Sequence, residues 1–288
     1  MDSYSIHPET TVGPIYLTVS DLKRSEEFYG EVLGFKSLPR KGDVLTLTAD
    51  GKTPVLVLKG NPAATARPGR TTGLYHFAVL TPSRLDLARS LRRLAETQYP
   101  IQGGADHRVS EALYLADPDD NGIEIYHDRP RDTWTFPNGE IHMESDPLDY
   151  EGILAELDGD AHPWDGLAAG TRIGHVHLNV ADLEKTEEFY HGVLGFDITV
   201  RRSHGALFIS AGGYHHHLGL NIWNGAGAPP PPPNAVGLRY YGIVLPNLAE
   251  LEKVAGRVQE AGISAEEMDE GFLLRDPSMN GVLLTHIA

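Results

Sequence analysis

Val19-Ser20-Asp21-Leu22, Glu26-Glu27-Phe28-Tyr29 and Val32-Leu33-Gly34-Phe35 return later in the chain as Val180-Ala181-Asp182-Leu183, Glu187-Glu188-Phe189-Tyr190 and Val193-Leu194-Gly195-Phe196. All three blocks are displaced by the same 161 residues (21 to 182). A constant offset across separated blocks marks a duplication rather than chance. A weaker pair lies downstream: Asp117-Pro118-Asp119-Asp120-Asn121-Gly122-Ile123 returns as Asp276-Pro277-Ser278-Met279-Asn280-Gly281-Val282, displaced by 159 residues (117 to 276). Ahead of each member of this pair come an apolar strand (residues 74–80 and 238–245) and an amphipathic helix (residues 85–96 and 248–262). The chain is four copies of one unit.

Each unit reads as a strand, a helix and three short strands. Asp21 and Asp182 stand where an acidic cap would satisfy the free amides of a helix start. Gly34 and Gly195 stand where the helix ends and the chain reverses. Residues 45–58 and 206–223 alternate or run apolar, with Asp50-Gly51 and Gly212-Gly213 as turns between strands. Asp117-Pro118 and Asn121-Gly122 mark a further turn before the last strand. The modules fall at 12–59 and 73–128 in an N-terminal pair (1–128), and at 172–224 and 237–288 in a C-terminal pair (172–288). Between the pairs, residues 129–171 are acidic, contain Trp and Pro, and lack sustained periodicity, so they read as a linker. Residues 225–233 end in five prolines, a stiff polyproline spacer.

Bulk composition narrows the function. A chain of 288 residues suits two domains, each with its own core. It has no long apolar run, so no membrane span is expected. The first eleven residues are polar and acidic, without the basic start and apolar core of a signal peptide. A cytoplasmic location is the default expectation. There are no cysteines, so a metal would have to be held by His, Asp or Glu. Fourteen histidines against no cysteine is the pointed feature. A formal charge of −16 disfavours nucleic acid and anionic membranes, which are bound through basic patches.

Four βαβββ modules, each helix followed by Val-Leu-Gly-Phe in modules one and three, resemble the vicinal oxygen chelate superfamily. That superfamily spans glyoxalases, bleomycin-resistance proteins and extradiol dioxygenases. The resemblance covers nearly the whole chain. Residues 212–223 (Gly-Gly-Tyr-His-His-His-Leu-Gly-Leu-Asn-Ile-Trp) and 111–119 (Glu-Ala-Leu-Tyr-Leu-Ala-Asp-Pro-Asp) resemble the CatE-type branch of bacterial catechol 2,3-dioxygenases. The implied fold is α+β, with four βαβββ modules forming two half-open mixed β-barrels and metal ligands pointing inward from first and last strands.

The resemblance places the ligands at His175, His76 and Glu124. Two neutral imidazoles and a carboxylate are the facial triad of non-haem Fe(II) oxygenases, which leaves cis positions for substrate and O2. Singly, each residue is better explained as a core histidine or a strand-edge charge; together they favour the triad. The sister modules offer Pro14, Tyr241 and Leu283 at these positions, so one barrel carries all three ligands and the other none. Because the ligands come from modules two and three, these two are expected to form the metal barrel.

Further roles follow from the resemblance. His107 and Tyr114 match a His and a Tyr that hydrogen-bond a substrate oxyanion; the sister module reads Glu266 and Leu273. The acid–base histidine falls in His215-His216-His217, where His216 best fits the pattern and the sister module has Pro54. Imidazole titrates near neutral pH and can take a catechol proton and return it. His177 and His217 are expected substrate contacts. The implied reaction is extradiol cleavage of a catechol by O2, with Fe(II) as cofactor and Mn(II) as the alternative ion. The product is 2-hydroxymuconic semialdehyde, and assembly is as a homo-oligomer. Two rivals remain: a glyoxalase-like lyase or isomerase using Zn²⁺ or Ni²⁺, and a metal-free binding protein of the same fold. The lyase sites add a second carboxylate at the place of Gly219, where this chain has none. A metal-free binding protein would not need a complete triad in one barrel beside erased positions in the other.

Overall fold

The computed structural model describes residues 4–202 and 204–287. Module one holds β1 (Thr11–Val19), α1 (Leu22–Glu27), β2 (Lys36–Ser37), β3 (Val44–Thr48) and β4 (Pro54–Gly60). Module two holds β5 (Gly73–Leu80), α2 (Arg84–Glu96), β6 (Gly103–Asp106), β7 (Ser110–Ala116) and β8 (Gly122–Asp128). The segment 129–171 adds β9 (Asp146–Pro147) and α3 (Tyr150–Ala155). Module three holds β10 (Arg172–Asn179), α4 (Leu183–Glu187), β11 (Asp197–Arg202), β12 (Ala206–Ser210) and β13 (Leu218–Asn221). Module four holds β14 (Gly237–Leu245), α5 (Leu248–Glu260), β15 (Ala265–Met268), β16 (Gly271–Arg275) and β17 (Gly281–His286). Among the described residues the strands form two mixed sheets, one of eight strands (β1–β4 and β14–β17) and one of nine (β5–β13). This is the expected α+β architecture, with open sheets rather than closed barrels.

One pairing rule organises the modules. The first strand runs parallel to the last: β5 with β8, β10 with β13, β14 with β17. Parallel neighbours need a crossover, which the helix supplies, and a packed helix covers one face of the strands it joins. The remaining strands return antiparallel through short hairpins. The face opposite the helix is left for a site. No helix among the described residues is long and apolar enough to cross a membrane.

The chain divides into two compact units: Met1–Leu17, Thr65–Tyr75 and Gly174–Ala288 in one, Thr18–Ala64 and His76–Ile173 in the other. Within each, the two recurring sequence blocks are partners. Asp117 accepts from the amides of Asp119 (2.9 Å) and Asn121 (2.8 Å), from the Asn121 side-chain amide (2.9 Å) and from the Tyr29 hydroxyl (2.9 Å). Asp276 repeats the set with Ser278, Asn280 and the Tyr190 hydroxyl, at 2.8, 2.8, 2.9 and 3.1 Å. Burial pushes both carboxyl pKa values up, and these hydrogen bonds pull against it. The tyrosines are placed by π-helical turns, Phe28–Val32 and Glu188–Val193, that finish α1 and α4. Gly34 and Gly195 follow at φ +86° and +89°, and a Cβ on Gly34 would lie 2.5 Å from Trp164. The Asp caps form as expected: Asp21 accepts from the amides of Lys23 and Arg24, and Asp182 from those of Glu184 and Lys185. These motifs recur because they hold the modules together.

The segment 129–171 has more structure than its sequence suggested. β9 pairs antiparallel with β6, setting Ala105 opposite Pro147 and Asp106 opposite Asp146. α3 lies by α2, where Arg84 donates to the Gly152 carbonyl (2.8 Å) and to Glu156 (2.9 Å). Arg89 grips Asp160 through two bonds of 3.0 and 3.1 Å. These contacts join arginines and main-chain groups far apart in sequence, so they leave no hydrophobic period to read.

Replacing Tyr29 by Phe removes one of the donors to a buried carboxylate. Tyr29→Phe and Tyr190→Phe should each cost about 1–3 kcal/mol, read by urea denaturation; an unchanged midpoint in both would show that the repeated motifs are not joined this way.

Candidate metal centre

In the unit that holds most of module two, β5 and β8 set His76 opposite Gly122 and Ala78 opposite Glu124. Residues two apart share a face of a strand, so His76 and Glu124 project from the same side. His76 Nε2 lies 3.0 Å from Glu124 Oε2, and both side chains are buried. Tyr114 on β7 stands opposite Glu124, and its ring centroid is 5.7 Å from that of His76. The Tyr114 hydroxyl is 2.6 Å from His107 Nε2, and His107 Nδ1 is 2.6 Å from the carbonyl oxygen of Glu144. The same face continues into Ala78, Leu80, Ala112 and Tyr126, a buried apolar cluster against which Tyr114 packs.

In the other unit, His175 and His177 are both buried, at 1% and 3% exposure, on one face of β10. The ring of His175 lies 4.1 Å from that of His216 and 6.0 Å from that of His215. The run His215-His216-His217 sits in the connection from β12 to β13, just ahead of the last strand rather than inside it. His215 and His216 meet through their Nδ1 atoms at 2.7 Å. His217 Nδ1 accepts from the amide of Ala211 at 3.1 Å, which ties that ring to the turn. His177 is packed by Tyr75, Trp223 and Phe208, with ring centroids 5.1, 5.3 and 5.6 Å away. Gly219 stands opposite His177 in the strand register, and a Cβ on Gly219 would come within 2.8 Å of the imidazole. The His177 ring fills the space that a second carboxylate would require.

His76, Glu124 and His175 are a set that could hold a metal ion, all three buried. The donor types fit: two imidazoles and one carboxylate suit a divalent first-row ion, and no thiolate is needed. The His76–Glu124 spacing fits as well, because two donors at right angles about an ion roughly 2.1 Å from each lie about 3.0 Å apart.

The strand register corrects two of the sister positions. Tyr241 pairs with Val282 as Phe77 pairs with Ile123, and Gly242 with Leu283 as Ala78 with Glu124. His76 therefore corresponds to Tyr240, and Tyr241 to Phe77. Consecutive aromatic residues hid the shift, since either tyrosine could be aligned. Tyr240 packs against Tyr16 with ring centroids 4.2 Å apart, while Tyr241 donates to the Tyr190 hydroxyl at 2.9 Å. Glu266 likewise pairs with Leu273 as Gly103 does with Tyr114, so it matches Gly103. His107 lies in the longer hairpin turn between β6 and β7. Sequence reasoning did not find the Glu144 carbonyl, because a main-chain group carries no residue signature, and it left Tyr75, Phe208 and Trp223 unassigned.

Comparison with known proteins gives a consistent picture. The Glyoxalase/Bleomycin resistance protein/Dioxygenase superfamily matches residues 11–125 and 172–281. A catechol-2,3-dioxygenase of Bacillus subtilis (strain 168) is 50% identical over 286 residues, 98% of this chain and 99% of that protein. Among solved structures, a putative dioxygenase from Bacillus subtilis superposes with a TM-score of 0.67 at 13% identity, covering 98% of this chain and 86% of that one. Glyoxalase I from Zea mays superposes with a TM-score of 0.58 at 16% identity, covering 96% and 92%. At those identities the two structures establish the fold alone.

The packing around His177 gives a direct check. Gly219→Ala places a methyl group against the imidazole and should destabilise the protein by about 1–3 kcal/mol. Urea denaturation measures this, and an unchanged midpoint would mean that the ring has room to move.

Proposed function

The chain belongs to the Glyoxalase/Bleomycin resistance protein/Dioxygenase superfamily, and from that membership we propose that it is an Fe(II)-dependent extradiol dioxygenase. It converts catechol or a substituted catechol, with O2, to 2-hydroxymuconic semialdehyde. Its 50% identity to a catechol-2,3-dioxygenase along nearly the whole chain supports the enzyme class. The observation that carries the reading is the buried His76–Glu124 pair at 3.0 Å, on a face that also bears Tyr114 and an apolar floor.

His76, Glu124 and His175 would hold the iron, on the open sheet of strands that modules two and three contribute. Bound there, Fe(II) would supply a Lewis-acid centre for the catechol and a path for electrons to O2. His216 takes a proton from a catechol hydroxyl and returns it as the ring opens. Tyr114, backed by His107, orients a substrate oxygen. His177 offers an imidazole edge to the ring; His217, expected as a second substrate contact, has its Nδ1 engaged by the Ala211 amide, which leaves only its Nε2 edge for the substrate. The apolar floor of Ala78, Leu80 and Ala112 keeps water from competing with O2. Homo-oligomeric assembly and a cytoplasmic location are proposed on the same membership. Against the glyoxalase-like alternative, the place of the second carboxylate is taken by Gly219 beneath His177.

Anaerobic purification with metal analysis, then catechol in air, tests the proposal. About one iron per chain and a yellow product are expected. Zinc or nickel with no colour, even after Fe(II) is added, would favour the glyoxalase-like reading. His76→Ala, Glu124→Ala and His175→Ala should each lose iron and activity together; full iron content in any of them removes that residue from the triad. His216→Ala should keep its iron and lose roughly 10²–10⁴-fold in kcat.

A further inference from the structure

We propose that residues 141–148 form a latch whose Glu144 carbonyl fixes the tautomer of His107, and through it the direction of the Tyr114 hydroxyl proton. The inference rests on the placing of Tyr114 at the site proposed above. A carbonyl oxygen can only accept, so the 2.6 Å contact between His107 Nδ1 and Glu144 O puts a proton on Nδ1. A neutral imidazole has one N–H, which leaves Nε2 as an acceptor. The proton in the 2.6 Å contact between Nε2 and the Tyr114 oxygen is then the phenol's own.

Tyr114 has only one proton to give. With that proton directed at His107, its oxygen accepts from anything else that approaches. The sequence reading made Tyr114 a donor to a substrate oxyanion; the tautomer makes it an acceptor, suited to a substrate hydroxyl that still carries its proton. Glu144 is thus a positioning residue acting through its main chain, and its side-chain identity is immaterial to the role.

The latch is built from several weak contacts. The Glu144 amide donates to the His107 carbonyl at 3.4 Å, and β9 pairs with β6 two residues on. Arg108 and Asp146 form an ion pair of 2.6 Å that is exposed and so contributes little. Met143 and Leu148 are buried on either side, at 6% and 7% exposure, and they supply most of the anchoring. The hairpin of the sister module has no counterpart: β15 ends its sheet among the described residues. The latch accompanies the module that carries His76 and Glu124.

The test is ¹⁵N NMR of the histidine rings in the full chain, labelled and kept free of iron, with His107 assigned by its absence in His107→Gln. The proton is expected on Nδ1 in the wild type and equally in Tyr114→Phe, because the carbonyl and not the phenol sets it. Met143→Ala/Leu148→Ala should give a mixed or reversed tautomer. Loaded with iron, that variant should keep its iron content and lose on the order of tenfold in kcat. A proton on Nε2 in the wild type, a switch in Tyr114→Phe, or an unchanged tautomer in the double variant would each overturn the proposal. If the double variant does not fold, the wild-type and Tyr114→Phe spectra still decide it. Because the spectra need no turnover, a chain that fails to cleave catechol would refute the proposed function and leave this inference standing.

Discussion

The parallel pairing of first and last strand within a module is the constraint on which the rest depends. In module two it sets His76 opposite Gly122 and Ala78 opposite Glu124, and from that register the two side chains meet at 3.0 Å. A slip of one residue would turn Glu124 to the helix-covered face. The crossover helix makes the pairing possible, and β7 then brings Tyr114 directly opposite Glu124. The site is a consequence of register before it is one of residue type.

Register is in turn secured by groups far from the chemistry. Asp117 gathers donors from its own turn at the head of β8 and one from Tyr29 of the neighbouring module. Asp276 does the same with Tyr190, in the half where Tyr240 and Leu283 stand in place of His76 and Glu124. The device survives in both halves while the candidate ligands stand in one, which separates its structural role from the role proposed for them. At the sister positions Tyr240 packs against Tyr16, whose hydroxyl donates to Glu270 at 2.8 Å. Burial first, and then that carboxylate, push the Tyr16 pKa up, which keeps the hydroxyl a donor to Glu270.

Much of this was legible because a duplicated sequence carries its own control. The repeated blocks gave the modules, the caps Asp21 and Asp182, and the turn glycines, all of which depend on local rules. The candidate ligands stood out against Pro14 and Leu283. What escaped depends on contacts that side-chain patterns do not encode. Tyr240 and Tyr241 are adjacent aromatics, so only hydrogen-bond register tells which replaces His76. Residues 129–171 carry their role through Arg84, Arg89 and main-chain pairing, without a period. The tautomer of His107 is decided by a carbonyl, which no sequence displays.

The central claim is that this face of module two serves the insertion of O2 into a catechol ring beside the diol. The most direct measurement is mass spectrometry of the ring-opened product formed under ¹⁸O2, trapped before its aldehyde exchanges with water. The account predicts that both labelled oxygen atoms enter the product, that the product is yellow, and that His76→Ala abolishes both signals. Catechol recovered intact from the iron-loaded protein in the presence of ¹⁸O2, or product carrying no label, would contradict it.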